Sequence, residues 1–314
     1  MYMNLSTVVQ IAPSSWQIGY EDKILLLGSC FADSIGAKMC EYYLQVVSNP
    51  FGTLYNPLSI AQALQLHEVP TLVAWGGMWH SMYHHGSFSA VSKEEAEQRC
   101  RESIESLQHA MTEASVVIVT FGTSWVYEMC HAQEDAEGAV VANCHKMPAS
   151  WFTRRRLGVE EIVAQWEPLI QQYADKHWLF TVSPIRHLKD GLHANQLSKA
   201  ILLEAVDRLV ETGRDTNCSV GYFPAYEIML DELRDYRYYA DDMLHPSGVA
   251  VNYIWERFVD TYINSSTREE MRELHQLWLD RHHTLLHPSS PESVAYQERL
   301  TERIQSFRQR YPWV

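Results

Sequence analysis

Residues Ile24 to Met39 constrain the fold more than any other stretch of the chain. They read Ile-Leu-Leu-Leu-Gly-Ser-Cys-Phe-Ala-Asp-Ser-Ile-Gly-Ala-Lys-Met. The aliphatic residues Ile24 to Leu27 form a short apolar run ahead of Gly28, the pattern of a strand buried on both faces. From Phe31 onward, Phe31, Ile35 and Met39 recur at helical spacing. Ser29 therefore falls where a strand becomes a helix. Its hydroxyl is expected at the carboxyl edge of a sheet, beside amide N–H groups that favour negative charge. Open α/β sheets bind ligands at that edge, which makes Ser29 a candidate nucleophile. The plainer alternative is that Ser29 only caps the helix. A full capping box would place Glu or Gln at position 32, where Ala32 stands.

Further buried strands are expected at 115–121, 178–183 and 221–226, with a fifth among 40–60. Helices are expected at 58–66, 93–113, 159–174, 196–211 and 249–262. Strands alternating with helices predict an α/β fold with a mostly parallel sheet covered on both faces. Residues 1–23 and 131–150 read as irregular, and 122–127 as a small-residue turn. The last part, 267–310, reads as two charged amphipathic helices split by His287-Pro288-Ser289-Ser290-Pro291. Leu274, Leu277, Trp278 and Leu285 make the apolar face of one; Leu300, Ile304 and Phe307 make that of the other. The expected organisation is a main domain over 1–264 and a helical appendage over 265–314, packed on it or on a second subunit.

Composition excludes some functions. A net charge of −14 disfavours binding to a phosphate backbone, so no nucleic-acid partner is expected. No apolar run approaches the ~18 residues of a membrane span, and the opening residues lack a secretory leader pattern. The six cysteines contain no CxxC pair, against both a zinc ribbon and a dithiol redox site. Reduced thiols in a cytoplasm are the expectation, with no membrane partner. Oligomeric state is not legible.

Two loops stand out. Residues 49–57 hold two prolines, a glycine and two asparagines. Residues 75–92 are dense in Trp, Tyr and His; Trp75, Trp79 and Tyr83 line a substrate pocket or, equally, form a lid packed on the core. His80, His84 and His85 have no helix or carboxylate frame around them, so no metal is expected, and no cofactor.

The chemistry converges on Asp242 and His245, an Asp-x-x-His in a loop ahead of a helix. Pro246 holds His245 extended. Asp242 would accept from the ring Nδ1 and leave Nε2 as a base; joined to Ser29 this makes a Ser-His-Asp triad. A solvated Asp and a capping His remain the alternative. Cys30, next to Ser29, reads as a small buried residue, because neighbours at such a turn point in different directions. The nucleophile elbow Gly-x-Ser-x-Gly does not fit, since Gly28 directly precedes Ser29.

Gly28-Ser29-Cys30-Phe31-Ala32 spells the signature of the GSCFA family, which the chain resembles over most of its length. Asn49-Pro50-Phe51-Gly52, Phe121-Gly122-Thr123, Asn143-Cys144-His145-Lys146, Ser183-Pro184-Ile185-Arg186-His187 and Asp242-Met243-Leu244-His245-Pro246 resemble its other motifs, in order. The family is similar to the SGNH hydrolases, which implies a flavodoxin-like three-layer α/β/α fold. The resemblance implies Ser29 as nucleophile, Asp242 as orienter and His245 as base, with the N–H groups of Ser29 and Gly52 in the oxyanion hole. SGNH enzymes carry an asparagine where this chain has Ser124, so Thr123, Ser124 or Asn143 would have to replace that donor.

The expected function is a serine esterase acting on O-acyl groups of a small-molecule or carbohydrate substrate, O-acetyl sugars included. Trp79 and its aromatic neighbours would stack a sugar, and His145, Arg186 and His187 would line the same pocket. An acyltransferase with the same triad and a binding protein on a decayed hydrolase fold are the alternatives.

Overall fold

A computed structural model describes residues 7–130 and 138–314. Along the chain run β1 (Lys23–Gly28), α1 (Cys30–Glu41), β2 (Gln45–Ser48), α2 (Pro57–Gln65), a hairpin of β3 (Val73–Trp75) and β4 (Met78–His80), and α3 (Lys93–Glu113). Then come β5 (Val116–Phe121), β6 (Trp125–Met129), β7 (Val140–Val141), β8 (Phe152–Arg156), α4 (Val159–Gln172), β9 (His177–Val182), α5 (Gly191–Thr216) and β10 (Val220–Tyr222). The one-turn α6 (Ala225–Glu227) precedes the long helices α7 (Gly248–Tyr262), α8 (Ser265–His282) and α9 (Pro291–Arg310).

The central sheet has the order β10-β9-β5-β1-β2, and its strands are all parallel. The strands bury both faces, and successive side chains alternate between them. Leu25 and Leu27 join Val117, Val119, Phe121 and Phe180 under α2, α3, α4 and α5. Ile24 and Leu26 join Val116, Ile118 and Leu179 under α1, α7 and α8. The result is the expected α/β/α sandwich. From β1 the chain goes to one side for β2 and to the other for β5, β9 and β10. That reversal opens a crevice between the carboxyl ends of β1 and β5. Gly28 pairs level with Thr120, and Thr120 with Thr181, so the loops leaving three strands start side by side.

Several local expectations change. The strand expected over 221–226 stops at Tyr222, because Pro224 has no N–H for the ladder and α6 begins at once. The turn expected over 122–127 ends by Trp125, where β6 starts and pairs with β7 and β8 in a small antiparallel sheet. The irregular stretch expected over 131–150 therefore contains β7; its first residues, 131–137, lie outside the described residues, as do 1–6 of the expected lead-in. No helix among the described residues is long and apolar enough to cross a membrane.

Met271, Leu274 and Leu277 of α8, and Phe307 of α9, are buried in the same cluster as Ile35, Met39 and Leu44. Leu285, expected on that face, lies beyond the end of α8 and outside the cluster. We propose that 265–314 is a structural appendage of the main domain. Burying each large apolar side chain contributes about 2 kcal/mol. Truncation at residue 264 removes these four and uncovers the main-domain side chains of the same cluster, Ile35, Met39 and Leu44 among them, a loss comparable with the ~5–15 kcal/mol that holds a whole domain folded. The truncated chain is expected to be insoluble or to melt far below the full chain in a thermal scan; equal stability would contradict this packing role.

Candidate active site

Ser29 is the N-cap of α1, with extended backbone (φ −70°, ψ 170°), and its Oγ accepts from the N–H of Phe31 at 3.3 Å. It is only 1% exposed. The Ser29 N–H donates to Thr120 O at 3.2 Å. The Oγ thus accepts from the start of the helix, and the amide is tied to the end of β5. The next residue, Cys30, takes the first helical position, and its Sγ lies 3.7 Å from Nε2 of His245. The contact with the histidine is made by Cys30, while Ser29 Oγ meets the start of the helix and has no hydrogen bond to His245 among the described residues.

Asp242 and His245 come together as the spacing predicts. The ring Nδ1 lies 2.5 Å from Asp242 Oδ2, while Oδ1 accepts from the N–H groups of Leu244 (2.9 Å) and His245 (3.0 Å). Those two backbone N–H groups, with the ring, hold the Asp242 carboxyl down at about 2. The aspartate therefore stays ionised at any ordinary pH. With Asp242 accepting from Nδ1, the ring's Nε2 is left as the acceptor that faces Cys30. Arg186 fixes the loop that carries the pair. Its backbone N–H donates to Leu244 O at 3.3 Å, its guanidinium donates to Met243 O, and its plane stacks 4.3 Å from the Tyr239 ring centre. Ser247 then caps α7 through the N–H of Ala250.

The motif loops interlock behind the junction. Asn49 Oδ1 accepts from Gly28 N–H at 2.8 Å, and its Nδ2 donates to Asp33 at 2.7 Å. The N–H groups of Gly122 and Thr123 both donate to Tyr55 O. Gly52 adopts φ +73°, and a Cβ there would lie 2.4 Å from that of His85, so the position requires glycine. Its N–H donates to Asn49 O at 2.7 Å. The expected oxyanion donor Gly52 is therefore a turn residue with its N–H already used.

Cys30 and His245 open onto a cavity of about 370 Å³ lined also by Tyr55, Thr123, Trp125, Arg186 and His187. Of the expected site residues, Thr123, Arg186 and His187 are brought to it. Ser124 is not: fully buried, it bonds Ser198 through both N–H and hydroxyl. Asn143 and His145 sit elsewhere, with Asn143 Oδ1 accepting from His145 N–H and His145 Nε2 against Ser81 O. Trp79 packs beside Leu72 and Ala90 under Lys93, away from the cavity, because the hairpin of β3 and β4 turns it onto its own small cluster. His80, His84 and His85 turn to Ser89, Ser81 and Ser87 rather than to a common point.

Sequence reasoning missed two further features. Trp125 and Tyr127 alternate on β6, opposite Arg156 and Arg154 of β8, and with Arg154 bring an aromatic and cationic wall to the cavity. The alternation in 125–129 and 152–156 was the available signal. Lys199 is 1% exposed, and its Nζ donates to Gly122 O (2.6 Å) and Ser183 O (2.7 Å), tying the ends of β5 and β9. Burial pushes this ammonium down to about 7, with Cys30 acting the other way.

Burial also keeps three histidines neutral: His84 near about 3, and His145 and His187 near about 4. Unfolded, each would titrate near ~6.5. Below that the unfolded chain binds more protons than the folded one, so stability falls as pH drops from 6.5 towards 4. At about 1.4 kcal/mol per unit, the three together cost on the order of 5 kcal/mol after discounting for partial solvent access. A Tm that is flat over this range would contradict their burial.

Comparison with curated proteins finds no match. Among solved structures, a family two carbohydrate esterase from Clostridium thermocellum, determined in complex with cellohexaose, is similar at 13% identity and a TM-score of 0.33. The match covers 87% of this chain and 68% of that one. The GSCFA family model matches residues 23–258, three quarters of the sequence and every motif loop described above, and the chain belongs to the GSCFA family.

Proposed function

We propose that this chain is an acyl-ester hydrolase whose nucleophile is Cys30, with His245 as base and Asp242 as orienter. One observation carries the reading: Cys30 Sγ, His245 Nε2 and Nδ1, and Asp242 Oδ2 form a continuous line at the edge of a cavity. Burial pushes the Cys30 thiol up, and the nearby Asp33 acts in the same direction. The resting thiol is protonated, and the imidazole has to take its proton as attack proceeds.

The Cys30 thiol gives its proton to Nε2 of His245 while Sγ bonds the acyl carbonyl carbon. The C–O bond to the alcohol then breaks, and His245 returns the proton to the leaving oxygen. A water molecule, deprotonated by the same nitrogen, cleaves the thioester and frees the acid and the thiol. Asp242 steadies the imidazolium throughout. The Cys30 N–H lies in the first turn of α1 and has no helical carbonyl to serve. It replaces Ser29 N–H as an oxyanion donor. Tyr55 N–H, which has no acceptor among the described residues, is the second.

The substrate class remains O-acyl esters, O-acetyl carbohydrates included, with Trp125 and Tyr127 as the stacking wall in place of Trp79. Transfer to an alcohol instead of water uses the same residues, and product analysis in glycerol separates the two. The test is a panel of aryl esters and acetylated sugars with wild type and Cys30→Ala, alongside a fluorophosphonate probe. Turnover lost in Cys30→Ala is the expected result. Fluorophosphonate labelling of Ser29 would restore the serine reading. A chain that neither turns over nor labels is the binding protein.

A further inference from the structure

The cavity beside Cys30 is built for a negative charge. The protein has a formal net charge of −14, yet Arg154, Arg186 and Lys189 line this cavity and, among the described residues, no lining residue is acidic. Among the described residues, neither Arg186 nor Lys189 has a carboxylate partner; Arg154 has Asp190. Among the described residues, Lys189 meets Tyr127, at its hydroxyl and over its ring.

The hydrogen-bond pattern points the same way. Among the described residues, four lining residues carry a buried nitrogen with no partner: Trp125 Nε1, Arg154 Nε, Arg186 Nε and His187 Nε2. Three of these can only donate, since indole and guanidinium nitrogens have no acceptor role. Folded proteins seldom leave such donors unmet, and here they share one concavity. A ligand whose oxygens face this donor-rich wall adds the acceptors it lacks. The aromatic faces of Trp125 and Tyr127 and the aliphatic Val141, Ile185 and Leu188 supply a flat apolar wall beside them.

We propose that this cavity binds a carboxylate carried by the substrate, so that the ester cleaved at Cys30 is one whose acyl or alcohol half is anionic. The inference rests on the reading of Cys30 as nucleophile only for the word substrate; the anion site stands on its own residues. Arg186 joins the two, because the guanidinium that lines the anion cavity also holds the backbone of Met243 ahead of His245.

The test alkylates the intact protein with iodoacetate and, separately, with iodoacetamide, two reagents of similar size that differ in charge. Each forms a bond from sulfur to carbon, expels iodide and releases the thiol proton to solvent. The ratio of the two rates at Cys30, read by peptide mass spectrometry, cancels the thiolate fraction. In the folded protein this ratio is expected to exceed its value in the urea-unfolded chain by at least ~10-fold, the gain a focused positive cleft gives an anion. Lys189→Gln with Arg154→Gln is expected to bring it back towards the unfolded value. A folded ratio at or below the unfolded one overturns the proposal and leaves the nucleophile reading standing. A Cys30 silent to both reagents counts against the nucleophile instead, and calorimetry of benzoate against benzamide then decides the anion site. Benzoate binding at least ~10-fold tighter supports it; equal affinity, or no binding of either, overturns it.

Discussion

Cys30→Ala is expected to lose at least ~10³-fold in kcat/KM towards a short-chain aryl ester, and His245→Ala nearly as much. The two act on one proton. The sulfur without the base stays a thiol, and the base without the sulfur has nothing to activate at 3.7 Å. The double variant should therefore be hardly worse than either single one. Ser29→Ala is the informative contrast. Its hydroxyl bonds the N–H of Phe31, so the change removes a helix cap and costs about 1 kcal/mol of stability. Activity should stay within about tenfold of wild type, since the loss is structural. Additive losses in the Cys30 and His245 cycle, or a Ser29→Ala protein as inactive as Cys30→Ala, would contradict this division of roles.

Gly28→Ala is expected to prevent folding or to cost at least ~4 kcal/mol, well above an ordinary substitution. Gly28 has φ +130°, a conformation that L side chains rarely adopt. A Cβ there would sit 2.1 Å from the carbonyl oxygen of Thr120. That atom belongs to the backbone of β5, at the residue paired level with Gly28, so it cannot move without spreading β1 from β5. The spread would also strain the bond from Gly28 N–H to Asn49 Oδ1 and the one from Leu54 N–H to Gly28 O. Chemical denaturation measures it. A Gly28→Ala midpoint equal to that of wild type would show that the junction is softer than its contacts imply.

The same junction shows where reading the sequence succeeds and stops. The run Ile24 to Leu27 and the helical spacing of Phe31, Ile35 and Met39 placed β1 and α1 correctly. Helix α3 was expected at 93–113 and occupies Lys93–Glu113, because Ser92 supplies its cap and no proline interrupts it. Which of Ser29 and Cys30 lies against His245 was beyond pattern. It turns on the positive φ of Gly28 and on a cap that swings one side chain back and leaves the next one facing outward. The antiparallel strands escaped for another reason. Each is short, and Phe152 to Arg156 carries three arginines, which read as a solvated segment until a partner strand is known. Lys199 was hidden because a lysine in an amphipathic helix looks exposed. Only the fold brings it beneath two strand ends. Asp242 and His245 were legible because three residues of turn suffice to bring them together.

The most direct test of Cys30 as nucleophile is to trap the acyl-enzyme. The protein is mixed with 4-nitrophenyl acetate, quenched in acid within the first turnovers, digested, and the peptide spanning the junction is fragmented by mass spectrometry. The expected result is one acetyl group on Cys30, held as a thioester that neutral hydroxylamine removes. Acetyl on Ser29, resistant to that treatment, or steady turnover with no acetyl on either residue, would contradict it.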